Sequence, residues 1–387
     1  MSLRFAAILP AFLLLHGPVG VGQSLFAQKS EAVTSVLQPF VDREELAGAV
    51  MLVATKDKVL LLDTVGATDR AANKAMNSNA MFWIASQSKP MTAAAFMILV
   101  DEGKVSLDDP VEKYLPEFQK VMVKTEADDE HVLLNRPDQK ITLRLLLSHS
   151  SGLPFKSALE EPTLDLYPLS ARVRSYAMTP LDSQPGTKYQ YSNAGINTAA
   201  RVIEVVTGKT FEQFLDERLF QPLGMSDTTF WPSAEQAERI AKSYKPGQGG
   251  KGLEETTISQ LYYPLTDKTI RTPMPAGGLF STAEDVCKFY QMLLGEGEFQ
   301  GKRILSAQAV HELTRRQTSL KFKESYGLGF SVSETTFGHG GAYSTNSMAD
   351  RSKGLIYIWL VQHAGFPGEG GKCQDLFRRT ASDVFAQ

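Results

Sequence analysis

The chain has 387 residues, with 40 Lys and Arg against 43 Asp and Glu for a formal charge of −3. That is long enough for two domains or one elaborate domain with a sizeable core. A composition of 43% hydrophobic and 21% charged residues excludes disorder and collagen-like repeats, and the near-neutral balance lacks the basic footprint of a dedicated nucleic-acid binder.

The chain opens with Met1-Ser2-Leu3-Arg4, the apolar run Phe5 to Leu15, then Gly17, Pro18, Gly20 and Gly22 before Ser24-Leu25-Phe26-Ala27. An early cation, a short apolar stretch and a small-residue exit predict a secretory signal peptide over residues 1–27, cleaved near Ala27 or, as a second site, Gly22. The run is interrupted by Pro10 and falls short of the roughly 20 residues that span a bilayer. Export to the periplasm or cell exterior, with no stable membrane span, is therefore expected. Cys287 and Cys373 are the only cysteines, which excludes a disulfide framework but leaves one bridge open. Cys287 falls in the amphipathic stretch Thr282 to Leu294, opened by the capping-box spacing Ser281 to Glu284, so a buried free thiol is the expectation.

Glu31 to Arg43 reads as a helix, and the apolar runs Ala49 to Ala54 and Val59 to Val65 flank Lys56-Asp57-Lys58 as a β-hairpin. Pro90 to Glu102, Leu143 to Leu147, Asn197 to Val206, Phe211 to Phe220 and Thr282 to Leu294 are helical or apolar-periodic. Near the C-terminus, Tyr326 to Val332, Thr336 to Gly341, Tyr343 to Ala349 and Leu355 to Gln362 are strand-like, and Asp375 to Phe385 is helical. The pattern predicts an α+β fold: one antiparallel sheet built from residues 28–85 and 270–387, with a mostly helical region, 86–269, inserted between its halves. A cleft between the two parts is where a small-molecule site is expected.

Several motifs fail. Gly247-Gln-Gly-Gly-Lys-Gly252 follows Lys245-Pro246 rather than a strand and opens no helix, so it reads as a loop. Gly208-Lys209-Thr210 lacks the upstream glycine of a P-loop, and His311-Glu312 lacks the second histidine of a zinc-protease helix. The six histidines are scattered, so neither a metal nor another cofactor is implied. There is no G-x-S-x-G nucleophile elbow.

Three motifs survive. In Phe82-Trp-Ile-Ala-Ser86-Gln-Ser-Lys89-Pro90, a loop enters a helix with Ser86 at its start and Pro90 in the first turn, where a missing N–H does little harm. Ser86 and Lys89 share one face, so an amine freed of its proton could activate the hydroxyl. Burial and the positive end of the helix both push a lysine that way. In Lys188-Tyr-Gln-Tyr191-Ser-Asn193, Tyr191 and Asn193 lie two apart in a polar loop, where a phenol can relay protons and an amide can hold a carbonyl. The alternative there is a capped turn before a helix. In Phe337-Gly338-His339-Gly340-Gly341-Ala342-Tyr343, glycines in a strand allow close approach of a substrate or another backbone, or mark a β-bulge.

The ordered set Ser86-x-x-Lys89, Tyr191-x-Asn193, His339-Gly340-Gly341 resembles the serine β-lactamase and penicillin-binding-protein superfamily, especially its class C β-lactamase, D-aminopeptidase and carboxylesterase branch. Leu145-Leu-Leu-Ser-His149-Ser-Ser-Gly152-Leu-Pro154, Phe220 to Met225 and Gly277 to Asp285 look like that branch too. The resemblance implies a β-lactamase/transpeptidase-like fold and a serine hydrolase acting through an acyl-enzyme. It assigns Ser86 as nucleophile, Lys89 and Tyr191 as sharing the general-base role, the N–H groups of Ser86 and Ala342 as the oxyanion hole, and Asn193, His339, Gly340 and Gly341 as substrate-binding. The implied partner is a small ester, amide, β-lactam or peptidoglycan-derived peptide. β-Lactamases of this group carry lysine where His339 stands. A histidine with a reference pKa near 6.5 is mostly neutral at pH 7, which favours esters, small amides or D-amino-acid peptides. Class C-like β-lactamase or DD-carboxypeptidase activity, and a non-hydrolytic penicillin-binding receptor, are the alternatives. If the imidazole faces the cleft, its protonation is expected to strengthen binding of carboxylate-bearing substrates as pH falls.

Overall fold

The computed structural model describes residues 21–386, so most of the expected signal peptide lies outside the described residues. The first element is α1 (Val21–Ser35), followed by a separate short helix at Gln38–Asp42. The sequence predicts one helix across Glu31 to Arg43. Pro39 divides it, because proline offers no N–H to the carbonyl of Ser35 and its ring crowds that carbonyl.

Strands β1 (Gly48–Ala54), β2 (Val59–Asp69) and β3 (Lys74–Ala75) come from the N-terminal part of the chain. A short antiparallel pair, β4 (Phe82–Trp83) with β5 (Phe280–Ser281), leads to the site. From the C-terminal part come β6 (Ser331–Val332), β7 (Thr336–Gly340), β8 (Asn346–Asp350) and β9 (Leu355–Leu360). They form one seven-stranded antiparallel sheet in the order β6-β7-β8-β9-β1-β2-β3, so β1 and β9 join the two chain halves with Met51 opposite Trp359. The expected α+β architecture is observed.

Every residue of β1 is buried, which identifies a strand covered on both faces. Val50, Leu52 and Ala54 face the main core, which includes Val286 and Phe289. Ala49, Met51 and Val53 face a second cluster with Val33, Leu37 and Phe377. In this way α4 (Ala283–Leu294) covers one face of the sheet, and α1 with α5 (Cys373–Phe385) covers the other. Inside the helix-rich region, α2 (Ser88–Asp101) packs against α3 (Asn193–Thr207). Residues Ser88 through Leu99 of α2 are all buried, as expected of a helix apolar on every side.

Other boundaries differ for local reasons. The expected strand Tyr326 to Val332 shrinks to β6, because Gly329 adopts a left-handed φ of +75° and its N–H turns away to the carbonyl of Leu147. Tyr343 and Ser344 also have positive φ, so β8 begins only at Asn346. Thr282, not Ser281, caps α4 by accepting the N–H of Asp285. The hairpins Val123–Ala127 with Val132–Asn135 and Ser243–Pro246 with Leu253–Thr256 were not anticipated. The first is mostly exposed and lacks the apolar alternation that marks a strand. Cys287 and Cys373 are free and buried. Among the described residues no helix is long and apolar enough to cross a membrane.

The glycines of β7 are held to different standards by their neighbours. A Cβ on Gly338 would lie 2.4 Å from the carbonyl oxygen of Ser347, whereas one on Gly340 would meet nothing nearer than 3.4 Å. Overpacking of that kind costs about 1 to 3 kcal/mol. Gly338→Ala is therefore expected to lower the urea midpoint clearly and Gly340→Ala to leave it nearly unchanged; equal midpoints for the two variants would contradict the packing.

Candidate active site

β4 runs into the tight turn Ala85–Gln87, which leads directly into α2. Ala85 has φ +47°, a left-handed conformation that a residue with a Cβ occupies only when its surroundings enforce it. The resulting sharp entry presents Ser86 at the mouth of the helix. Ser86 does not cap it, since α2 has no side-chain cap.

Lys89 follows one turn later and is fully buried. Its Nζ lies 3.0 Å from Ser86 Oγ and 2.7 Å from the carbonyl oxygen of Ala276. Burial holds the amine well below the ordinary lysine range, because the charged form cannot be solvated there. A neutral amine can donate one hydrogen to Ala276 and turn its lone pair to the serine hydroxyl. Nζ also sits 4.6 Å from the centre of the Tyr191 ring. Burial raises the Tyr191 phenol, with the Ser86 hydroxyl opposing that rise. In the resting state Tyr191 therefore keeps its proton.

Tyr191 precedes α3, whose cap is Ser192: its Oγ accepts the Gly195 N–H at 3.0 Å and donates to the Pro154 carbonyl at 2.7 Å. Asn193 begins the helix with its backbone N–H bonded to the carbonyl of Phe155. Its side-chain Oδ1 is buried and has no hydrogen-bond partner among the described residues. The capped turn is thus present, and the amide of Asn193 is left with an unpartnered acceptor beside it.

The third motif closes the site. A Cβ on Gly341 would come within 2.4 Å of the Ile84 carbonyl oxygen, so this glycine serves the approach of the serine turn to the strand. Beyond it, the turn Ala342–Ser344 packs against Ala85–Gln87, and Trp83 meets Tyr343 edge-on at 5.4 Å. Among the described residues the N–H groups of Ser86 and Ala342 have no protein acceptor. Two donors on adjoining turns are the arrangement a developing oxyanion requires.

His339 corrects the sequence reading. It is buried, its Nε2 lies 2.9 Å from the Tyr326 hydroxyl, and its Nδ1 faces the carbonyl of Gly340. Burial, reinforced by Lys89, pushes it down to about 3. Burial therefore favours the neutral imidazole, and the protonation expected if the ring faced the cleft is disfavoured in these surroundings.

Sequence reasoning assigned no role to four residues placed here. His149 is buried with its ring 4.5 Å from that of Tyr191. Tyr326 joins His149 to His339, Ala276 receives the lysine, and Asn197 Oδ1 accepts the Ala276 N–H at 3.1 Å. The segment Leu145 to Pro154 pointed to His149, whereas Tyr326 and the Ala276 carbonyl carry no local signal. Among the described residues no cluster of His, Cys, Asp and Glu could hold a metal ion.

Residues 33–379 match the beta-lactamase family model. The chain belongs to the beta-lactamase family. It is 33% identical to protein Rv1367c of Mycobacterium tuberculosis over 82% of this chain and 86% of that protein. It is 32% identical to esterase EstB of Burkholderia gladioli over 89% of this chain and 93% of the esterase. The solved structure of EstCE1, described as a hydrolase with promiscuous acyltransferase activity, superposes with a TM-score of 0.75 at 23% identity, covering 94% of this chain and all of that one. The family's curated relatives include both esterases and D-alanyl-D-alanine carboxypeptidases, so this chain is a serine hydrolase of the beta-lactamase fold.

Ser86→Ala is expected to abolish turnover while changing stability by no more than about 1 kcal/mol, the net worth of one ordinary hydrogen bond. Turnover within tenfold of wild type would remove Ser86 as nucleophile. Lys89→Met should be inactive too, and its stability relative to wild type should depend on pH. A buried lysine with a depressed folded-state pKa binds fewer protons folded than unfolded, so wild-type stability gains as pH rises toward the ordinary value near 10.4. Denaturation at pH 7 and pH 10 should therefore show the variant losing ground to wild type at the higher pH; a pH-independent difference would mean that Lys89 is charged in the folded protein.

Proposed function

We propose that this protein hydrolyses neutral carboxylic esters through a covalent Ser86 acyl-enzyme. The observation that carries this reading is that, among the described residues, the basic side chain bonded to the activated serine is the buried, depressed Lys89 and no permanent cation stands with it. Among the described residues Lys89 has no counter-ion, and the titratable groups that act on the two imidazoles are Lys89 and, for His149, His339, both of which burial drives toward the neutral form. A substrate carboxylate would enter this site without a permanent cation to receive it, at a desolvation cost no partner offsets.

The chemistry follows from the positions. As Ser86 Oγ bonds to the ester carbon, Lys89 Nζ takes the hydroxyl proton, and the carbonyl oxygen gathers charge between the N–H groups of Ser86 and Ala342. When the ester C–O bond breaks, Tyr191 gives its proton to the departing alkoxide and recovers one from Lys89. Water then attacks the acyl carbon, its proton passes to the same pair, and the pair returns that proton to Ser86 Oγ as the acyl C–O bond breaks. The depressed lysine and the raised tyrosine divide the labour, with Lys89 as base and Tyr191 as acid in the first half-reaction.

A second reading, hydrolysis of small amides or D-amino-acid peptides, is favoured by Asn193, whose unpartnered buried Oδ1 could accept a substrate N–H. Class C-like β-lactamase and DD-carboxypeptidase activities rank below both, because their substrates carry a carboxylate. Export is proposed as well, supported by the leader pattern of residues 1–27.

A short-chain aryl ester, a chromogenic cephalosporin, and D-alanyl peptides with free or blocked termini separate these readings. Clear ester hydrolysis with weak or absent cephalosporin hydrolysis is expected, and a preference for the cephalosporin would overturn the order. Intact mass spectrometry should show the acyl adduct disappearing rapidly; an adduct that persists for hours would indicate a penicillin-binding receptor instead.

A further inference from the structure

We propose that His149, Tyr326 and His339 form a neutral hydrogen-bonded strut across the site, with its proton order fixed at both ends by backbone groups. We further propose that Tyr326 is a positioning residue for hydrolysis.

The order can be followed atom by atom. At one end the Ser192 N–H donates to His149 Nδ1 at 3.2 Å, so that nitrogen is bare and a neutral ring must carry its proton on Nε2. Nε2 lies 3.2 Å from the Tyr326 hydroxyl and donates to it. At the other end His339 Nδ1 faces the Gly340 carbonyl, which can only accept, so Nδ1 carries the proton and Nε2 is bare. The Tyr326 hydroxyl, 2.9 Å from that Nε2, gives its single hydrogen to His339 while its oxygen accepts from His149. Each ring nitrogen and the hydroxyl proton has one partner. A proton added to either imidazole would leave a buried donor without an acceptor, because Tyr326 is itself buried.

The strut bears on the reacting groups. His149 holds both neighbours of Tyr191, since its carbonyl accepts the Gln190 N–H at 2.7 Å and its Nδ1 the Ser192 N–H. Its ring packs directly against Tyr191, and its backbone is held at φ +58°. The far end grips the Gly340 carbonyl, two residues before the proposed oxyanion donor at Ala342. One chain of hydrogen bonds thus ties the tyrosine of the helix-rich region to the strand that supplies the oxyanion hole. The titratable groups facing it are Lys89, which acts on both imidazoles, and Tyr189, Tyr191 and Tyr290, which act on Tyr326. None of these is a carboxylate that could favour an imidazolium.

The effect on turnover rests on the hydrolase reading; the proton order does not. Long-range 1H–15N spectra of labelled full-length protein between pH 5 and 8, assigned with His149→Gln and His339→Gln, should show two neutral rings of opposite tautomer. His149 should be protonated on Nε2 and His339 on Nδ1, and neither should titrate. Identical tautomers, or titration of either ring in that range, would overturn the strut whether or not any variant folds. Tyr326→Phe should then lower kcat on a neutral aryl ester by about 10- to 100-fold, the scale of a misaimed catalytic group, with KM within about threefold. It should also release the fixed His339 tautomer. Wild-type kcat in Tyr326→Phe would refute the positioning role. If wild-type protein itself fails to hydrolyse esters, the hydrolase reading falls and the tautomers alone decide the strut.

Discussion

A lysine buried without a counter-ion is the constraint around which this site is arranged. An ammonium group at that position would be unsolvated, so the fold must offer Nζ acceptors that suit a neutral amine and nothing that would hold a proton on it. The carbonyl of Ala276 does this, and much of the surrounding hydrogen bonding serves to keep that carbonyl in place. Asn197 accepts the Ala276 N–H, Thr92 donates to the Pro275 carbonyl, and Trp83 Nε1 donates to the Gly277 carbonyl. Asn197 is in turn held by the Tyr176 hydroxyl, which donates to Glu160. The all-round burial of α2, which by itself resembles an ordinary core helix, is what deprives Lys89 of water.

Half of the eight non-glycine residues with positive φ among the described residues lie at the same place. Ala85, His149, Tyr343 and Ser344 all have positive φ, and each stands beside a group assigned to the reaction. Ala85 precedes the nucleophile, His149 packs on the proton-relaying tyrosine, and the other two follow the proposed oxyanion donor. Such conformations cost of order 1 to 3 kcal/mol each and persist only where neighbours enforce them. Here the enforcement is visible: Ser88 Oγ donates to the Ala85 carbonyl, the Gln190 N–H donates to that of His149, and the Tyr343 hydroxyl donates to that of Thr257.

The three motifs were legible in the sequence because their chemistry needs particular residue types at short, fixed spacings. One helical turn separates Ser86 from Lys89, and a single extended residue separates Tyr191 from Asn193. The sheet was legible because β1 and β9 are long and apolar, and Asp375 to Phe385 because its apolar face repeats. What escaped were contacts made by chain segments far apart. No pattern in the sequence marks the Ala276 carbonyl as the partner of Lys89, nor Tyr326 as the bridge between two imidazoles 190 residues apart in the chain. The surroundings of His339 were illegible for a related reason: a reference pKa describes a solvated ring, and burial is decided by everything packed around it.

The neutrality of position 339 and the basicity of Lys89 are linked choices. A permanent cation beside the amine would depress its pKa further by repulsion and so weaken it as a base, although it would also welcome a substrate carboxylate. With a neutral imidazole there, the depression of Lys89 comes from burial alone, and the base keeps whatever proton affinity burial leaves it. Tyr326 makes that neutrality structural, because its one hydroxyl already donates to His339 and accepts from His149. The chain of hydrogen bonds that holds the tyrosine loop at its His149 end is therefore also the one that keeps a second positive charge away from the lysine at its His339 end.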